Sequence, residues 1–289
     1  MIPSRFTVQI ERFAYPDGTV ALADIHFDVG RGEFVGILGA NGSGKSTLLR
    51  LMDGLIKDFT GQLLLDGQEV RRLHPRDIYR KVGLVFQNPD DQLFAASVFE
   101  DVAFGPRNMG FDESEVAQRV SAALDAVDLP QLAEKNIHHL SYGQKKRVCI
   151  AGLLAMGHEI LLLDEPTAGL DPMGEYRMME LLTRLNREQG VTIVMATHSV
   201  DLVPLFLSRL LILSRGRVSR SGPPEEIFTA PADMEGVKLR LPQIAELMHR
   251  LKTEDGLDFH RLPLTIGEAR RELVERLGKS SATAGTEKG

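Results

Sequence analysis

Residues Gly39 to Ser46 read GANGSGKS, two glycines five positions apart followed by a lysine and a serine. Polyphosphate chemistry needs this order. The glycines let backbone N–H groups close around phosphate oxygens, Lys45 reaches the outer phosphates, and the Ser46 hydroxyl offers a ligand to Mg2+. A second group lies far downstream, where Ile160 to Glu165 read ILLLDE. Packing gives no reason for two carboxylates at the end of that apolar run. Asp164 suits Mg2+, held through water, and Glu165 suits orienting or deprotonating an attacking water. Gln87 follows the expected strand VGLVF (Val82 to Phe86), and His198 follows the expected strand VTIVMAT. Gln87 is expected at Mg2+ or water, and His198 at the terminal phosphate.

Leu140 to Arg147 read LSYGQKKR, just ahead of the apolar run Val148 to Met156. This is the start of a helix, and unpaired N–H groups at a helix start attract anions. The plainer reading is an ordinary N-cap by Ser141, with the basic residues after it in water.

These residues need a scaffold. FTVQIERFAY and ALADIHFDV alternate like strands, and Glu33 to Leu38 form a compact apolar strand leading into the glycine loop. The leucines of LLRLMDGL then recur at helical spacing, and GQLLLDGQEV reads as a hairpin. Between Asn88 and Met156 the chain turns helical, with Val116, Val120, Ala123, Leu124 and Val127 along one face. This is expected to be an inserted helical subdomain, about residues 93–157. A strand, a helix over Pro172 to Glu188, a strand, a short helix and the strand RLLILSRGRV follow. Such alternation implies an α/β fold with a mostly parallel sheet. Ligands of these sheets sit beyond the carboxyl ends of the strands, where the glycine loop, Asp164 and Glu165 fall. Residues 230–278 shift in composition and carry two further helical patterns, an expected appendage. Residues 279–289 are small and polar, and are expected to be disordered.

The chain has 289 residues, a net charge of −6 and a pI of about 5.8. An acidic balance argues against nucleic acid as a partner. The single cysteine, Cys149, excludes an internal disulfide and is expected to be buried. The N-terminus lacks an apolar targeting segment. The longest apolar stretch, near Leu202 to Leu213, is cut by Pro204 and Arg209. It falls short of the ~18 residues that suggest a membrane span.

Taken in order, the motifs resemble those of ATP-binding-cassette ATPases, the nucleotide-binding subunits of ABC transporters, over about residues 5–228. GANGSGKS matches the P-loop, Gln87 the Q-loop, AGLD (Ala168 to Asp171) the D-loop, His198 the H-loop and LSYGQ the LSGGQ signature. Tyr142 stands where the signature has its first glycine. The resemblance implies a RecA-like core, an antiparallel β subdomain and the helical insertion, together residues 1–229. It implies ATP and Mg2+ as ligands. ATP would meet Tyr15 (stacked on adenine), Gly39, Asn41, Gly42, Ser43, Gly44, Lys45, Ser46 and Thr47. Mg2+ would meet Ser46, Gln87 and Asp164, and catalysis would fall to Glu165, His198, Lys45 and Gln87. Ser141, Gly143, Gln144 and Asp171 would act in trans, on ATP held by a second subunit in a homodimer or heterodimer.

A narrower resemblance lies in FQNPDDQLFAASVFEDVAFGPRNMG, which is similar to the Q-loop region of energy-coupling-factor ATPases, those of cobalt and nickel importers included. LRLPQIAELMHRL and PLTIGEARREL look like the tail of that subgroup, where it helps subunits pair. This implies a motor subunit, peripheral on the cytoplasmic face of the cell membrane. An integral membrane subunit would dock near Asn88 to Phe94, and the cargo would be cobalt, nickel or a vitamin. The alternatives are an ATPase of another importer, a soluble ABC ATPase of DNA repair or translation, and a regulatory ABC subunit.

Overall fold

Alternation, broken by register shifts near Ser4 and between Ile10 and Arg12, shapes the first two strands, β1 (Ser4–Ala14) and β2 (Val20–Gly30). In the computed structural model, which describes residues 4–229, 234, 236, 237, 239–259 and 261–283, Phe6, Val8 and Ile10 point inward and are fully buried. β1 pairs antiparallel with β2 and with β4 (Thr60–Leu65), and β4 turns into β5 (Gln68–Glu69). The turn places Asp66 at φ 49° and Gly67 at φ 79°. Two successive positive φ values suit the twist of a tight hairpin, and Asp-Gly tolerates them. Asp66 also pairs with Arg5 at 2.9 Å and Lys81 at 2.8 Å, tying this sheet to the core.

The core sheet runs β10-β9-β3-β8-β7-β6. Its strands are β3 (Phe34–Leu38), β6 (Val82–Val85), β7 (Ile160–Asp164), β8 (Thr192–Thr197), β9 (Arg209–Ser214) and β10 (Arg217–Gly222). All neighbours are parallel except β9 and β10. Every residue of β3, β6, β7 and β8 is buried. Burial on both faces explains why these segments read as continuous apolar runs rather than alternations. One face meets α1 (Lys45–Met52) and the antiparallel sheet, through Val35, Ile37, Leu48 and Leu49. The other face meets α6 (Pro172–Gln189) through Leu38, Leu163, Met178 and Leu182.

The chain between β6 and β7 is helical: α3 (Val98–Met109), α4 (Glu113–Ala126) and α5 (Tyr142–Met156), after a short α2 (Pro75–Tyr79) before β6. Ser97, Asp112 and Ser141 cap α3 to α5, each accepting a bond from a backbone N–H three residues on. Val116, Val120, Ala123 and Leu124 are the buried face of α4, and Val127 is buried just beyond its end. Cys149 is buried too, and burial pushes its thiol up to about 12.

After β8 come α7 (Val203–Phe206), α8 (Pro224–Ile227), α9 (Gln243–Thr253) and α10 (Ile266–Thr283). Met248, Phe259 and Ala269 form a small core between the last two helices. Asp201 fastens this region to the cassette: it pairs with Arg240 and accepts the Gln243 N–H at 2.8 Å. Among the described residues, no helix is long and apolar enough to cross a membrane.

Three boundaries differ from the sequence reading, the first being RLLILSRGRV, which turns at Arg215 and Gly216 (φ 48° and 74°) into the antiparallel strands β9 and β10. β6 ends at Val85, and Phe86 is exposed, because its N–H is taken by the Gln92 side chain at 3.1 Å instead of a neighbouring strand. α10 runs to Thr283, through positions 279–283 of the expected tail. Lys279 to Thr283 hold neither proline nor glycine to stop a helix already nucleated. The rest of that expected tail, 284–289, lies outside the described residues.

Candidate nucleotide site

The loop between β3 and α1 needs its glycines for lack of space. A Cβ on Gly39 would sit 2.4 Å from both the Leu213 carbonyl and Ser43 Oγ. Gly44 has φ 107°, and a Cβ there would sit 2.8 Å from the Ala21 carbonyl. Gly44 is also the N-cap of α1, with no side chain satisfying the first N–H groups. Those donors and the positive end of the helix face outward, ready for an anion. Lys45 is buried, donates from Nζ to the Gly39 carbonyl at 2.8 Å, and lies 3.4 Å from Glu165 Oε1.

A cavity of about 390 Å3 opens here. Tyr15, Asn41, Gly42, Gly44, Lys45, Ser46, Thr47, Gln87, Asp164 and Glu165, all selected from sequence, line it. Gly39 and Ser43 are buried and do not line it. Tyr15 and Thr47 share a hydroxyl hydrogen bond of 2.8 Å. His198 does not line the cavity either. Its Nδ1 lies 2.9 Å from Glu165 Oε2, and its backbone N–H donates to the same oxygen at 3.3 Å.

Asp164 Oδ1 and Glu165 Oε1 are buried and have no hydrogen-bond partner in the protein. Burial raises the Asp164 carboxyl above its usual range, and the neighbouring Glu165 charge adds to this, while Ser46, Lys45 and Arg50 oppose it. A hard cation would supply what Asp164 lacks. Ser46, Asp164 and Gln87 are few protein ligands, which fits Mg2+, an ion that keeps waters and phosphate oxygens around it.

A second cavity, of about 700 Å3, opens at the start of α5. Ser141, Gly143, Gln144 and Asp171 line it, with Arg147 and Arg177 and, beside Arg147, Asp128. Ser141 and Gln144 close a reciprocal capping box: Gln144 N–H donates to Ser141 Oγ at 3.3 Å, and Ser141 N–H to Gln144 Oε1 at 3.0 Å. Asp171 caps α6 by accepting the Gly174 N–H at 2.6 Å. The two cavities share no lining residue. The chain therefore brings the sequence-selected residues together in two places.

The ABC transporter family profile matches residues 22–168. This chain belongs to the ABC transporter family of ATPases. A putative ABC transporter ATP-binding protein of Geobacter sulfurreducens is 77% identical, over 94% of this chain and 97% of its own. The energy-coupling factor transporter ATP-binding protein EcfA of Methanococcus maripaludis is 47% identical, over 91% of this chain and 95% of its own. Among solved structures, cbiO1 of Clostridium perfringens, part of the ABC transporter complex cbiONQ, superposes with a TM-score of 0.75. It is 43% identical and covers 86% of this chain and 99% of its own. A dimeric ATP-binding cassette in a post-hydrolysis state, bound to ADP and Pi, gives 0.66 at 29% identity, over 75% of this chain and 98% of its own.

The ATPase site holds one residue the sequence reading misplaced. Lys146, read as a solvated charge, is 1% exposed and donates from Nζ to the Glu165 carbonyl at 2.7 Å. Helical spacing carries the signal, since Lys146 shares its face of α5 with buried Cys149 and Ile150.

The geometry leaves Glu165 as the carboxylate nearest the Lys45 ammonium, with His198 fixing its other oxygen. Glu165→Gln keeps size and polarity but removes the basic group. Such a group contributes ~10²–10⁴-fold to a rate. Turnover of ATP is expected to fall by at least ~100-fold with ATP affinity kept. ATP-loaded dimers should then build up on a sizing column. Near-normal turnover by this variant removes Glu165 from the reaction.

Proposed function

We propose that this chain is the ATP-hydrolysing motor of an energy-coupling-factor type importer and works as a pair. The separation of its two cavities carries the reading. One cavity offers a phosphate loop, a lysine and two carboxylates; the other offers the capped N-terminus of α5, suited to an anion its own loop does not bring. Head-to-tail pairing would place each signature, with Ser141, Gly143, Gln144 and Asp171, over the ATP of the other copy. The dimeric cassette with ADP and Pi supports such pairing, and the likeness to EcfA and to cbiO1 supports the importer type.

In each complete site Lys45 and the loop N–H groups would neutralise the β- and γ-phosphates. Tyr15 would stack on adenine, once its bond to Thr47 gives way. Ser46, Asp164 and Gln87 would hold Mg2+, which offsets phosphate charge when bound. Glu165 would take the proton of the attacking water, with His198 holding its carboxylate. Binding closes the pair, and loss of the γ-phosphate reopens it.

The membrane partner is proposed to dock beside Asn88 to Phe94. Asp90 is not free for it, because Lys145 holds it at 2.6 Å, and Pro89 is buried. The exposed feature is aromatic: Phe94 and Phe104, 65% and 50% exposed, meet edge to face at 4.7 Å. Such a pair suits an apolar helix end from an integral membrane subunit. The chain would then sit on the cytoplasmic face of the membrane. The likeness of its Q-loop region to cobalt and nickel importer ATPases makes those ions the proposed cargo, with a vitamin as the second choice. Residues 230–278, with Leu247 and Ile266 exposed, are proposed to strengthen pairing.

Three outcomes check this reading. Lys45→Ala loses ATP binding, whereas Ser141→Arg binds ATP normally as a monomer yet does not hydrolyse it. A mixture of the two regains activity, since one heterodimer site is then intact; a mixture as inactive as its parts rules out action in trans. Phe94→Ser with Phe104→Ser leaves the isolated ATPase within a few-fold of wild type and sharply lowers uptake by the assembled complex in vesicles. Undiminished uptake moves docking elsewhere. Deleting residues 230–289 leaves ATP binding intact and shifts the nucleotide-free protein toward monomer in light scattering, and an unchanged dimer fraction refutes a pairing role.

A further inference from the structure

Glu165 directly follows β7, and its backbone is strained. Its φ is 51°, the left-handed region, which residues other than glycine disfavour. Such a conformation persists when its surroundings over-determine it. The Glu165 N–H is fixed by the Ala196 carbonyl of β8 at 2.9 Å. Its carbonyl is held from two sides, by the Ala168 N–H at 3.1 Å and by Lys146 Nζ at 2.7 Å. The first contact is local. The second comes from α5, within the helical insertion.

Lys146 is an expensive residue for that place. It is 1% exposed, and a buried ammonium costs free energy unless paired. Its nearest hydrogen-bond acceptor is a neutral carbonyl, and its other neighbour is the Tyr142 ring, with the centroid 5.3 Å from Nζ. Burial lowers its pKa to about 8, with the Glu165 and Asp164 charges opposing. Methionine would fill the same space without this cost, so packing alone does not account for a lysine. Tyr142, one turn earlier, donates from its hydroxyl to the Gln87 carbonyl at 3.3 Å and packs its ring against Gly169. The first turns of α5 therefore touch the Q-loop, the D-loop and the backbone of Glu165.

We propose that Lys146 is a positioning residue for Glu165. Its ammonium clamps the Glu165 carbonyl, holds the left-handed backbone, and so aims the carboxylate between Lys45 and His198. The helix that meets the partner's ATP is thereby joined to the carboxylate of its own chain. The role rests on the reading of Glu165 as the group that activates water.

The test uses the purified full chain, with ATPase kinetics, fluorescent ATP-analogue binding and thermal melting. Lys146→Met should lower kcat by about tenfold or more, part of the ~10²–10⁴-fold that a well-aimed base contributes. KM and analogue affinity should stay within about twofold. Lys146→Gln, a shorter N–H donor, should recover part of the loss. In a Glu165→Gln background, Lys146→Met should leave the trapped ATP-loaded dimer intact and lower residual turnover no further, because the group it aims is already gone. If the methionine variant does not fold, the glutamine variant serves, with kcat at least threefold down at unchanged KM. A kcat within twofold of wild type overturns the proposal, as does a loss of affinity or trapped dimer alongside kcat, which marks a structural role. Near-normal turnover by Glu165→Gln alone sinks the reading of Glu165, and this role with it.

Discussion

Lys45 Nζ and Glu165 Oε1 stand 3.4 Å apart in near-complete burial, and the rest of the structure is arranged around that pair. Removing two opposite charges from water gains little net stability, and an unpaired survivor is costly. The pair is a holding arrangement. Lys45 also rests on the Gly39 carbonyl of its own loop, while Glu165 Oε1 has no hydrogen-bond donor. In the proposed cycle, phosphates entering the cavity would offer Lys45 stronger acceptors and would free the carboxylate for water. The ground-state contact and the chemistry thus compete for the same two groups.

Meeting there requires the sheet order. Lys45 follows β3, Glu165 follows β7, and β8 lies between those strands and delivers His198. Three parallel neighbours place their carboxyl ends side by side, so residues more than a hundred positions apart in the chain come into hydrogen-bond range. Continuous two-sided burial of β3, β7 and β8 keeps that register stiff, since close-packed interiors transmit displacement rather than absorb it.

The helical insertion is bound less symmetrically. α5 reaches the core through polar contacts, Lys146 to Glu165 and Tyr142 to Gln87, as well as apolar packing. Directional contacts of this kind break and reform over small displacements, which apolar packing does not.

The sequence alone determined the chemistry: GANGSGKS, the acids after ILLL, and LSYGQ name phosphate, cation and anion-receptive helix by residue type and spacing. It also determined the α/β rhythm, because two-sided burial and helical periodicity are local patterns. The fate of the charges was not legible there. LSYGQKKR reads as three solvated cations, yet Lys146 is buried on Glu165, and Asp90 of NPDDQ is paired with Lys145. Whether a lysine faces water or a carbonyl depends on what packs over its helix face, and that cover comes from β7, a different part of the chain. Only the tertiary structure decided that loop and signature open into separate cavities, since a spacing in sequence carries no distance between elements folded onto different sides of a sheet.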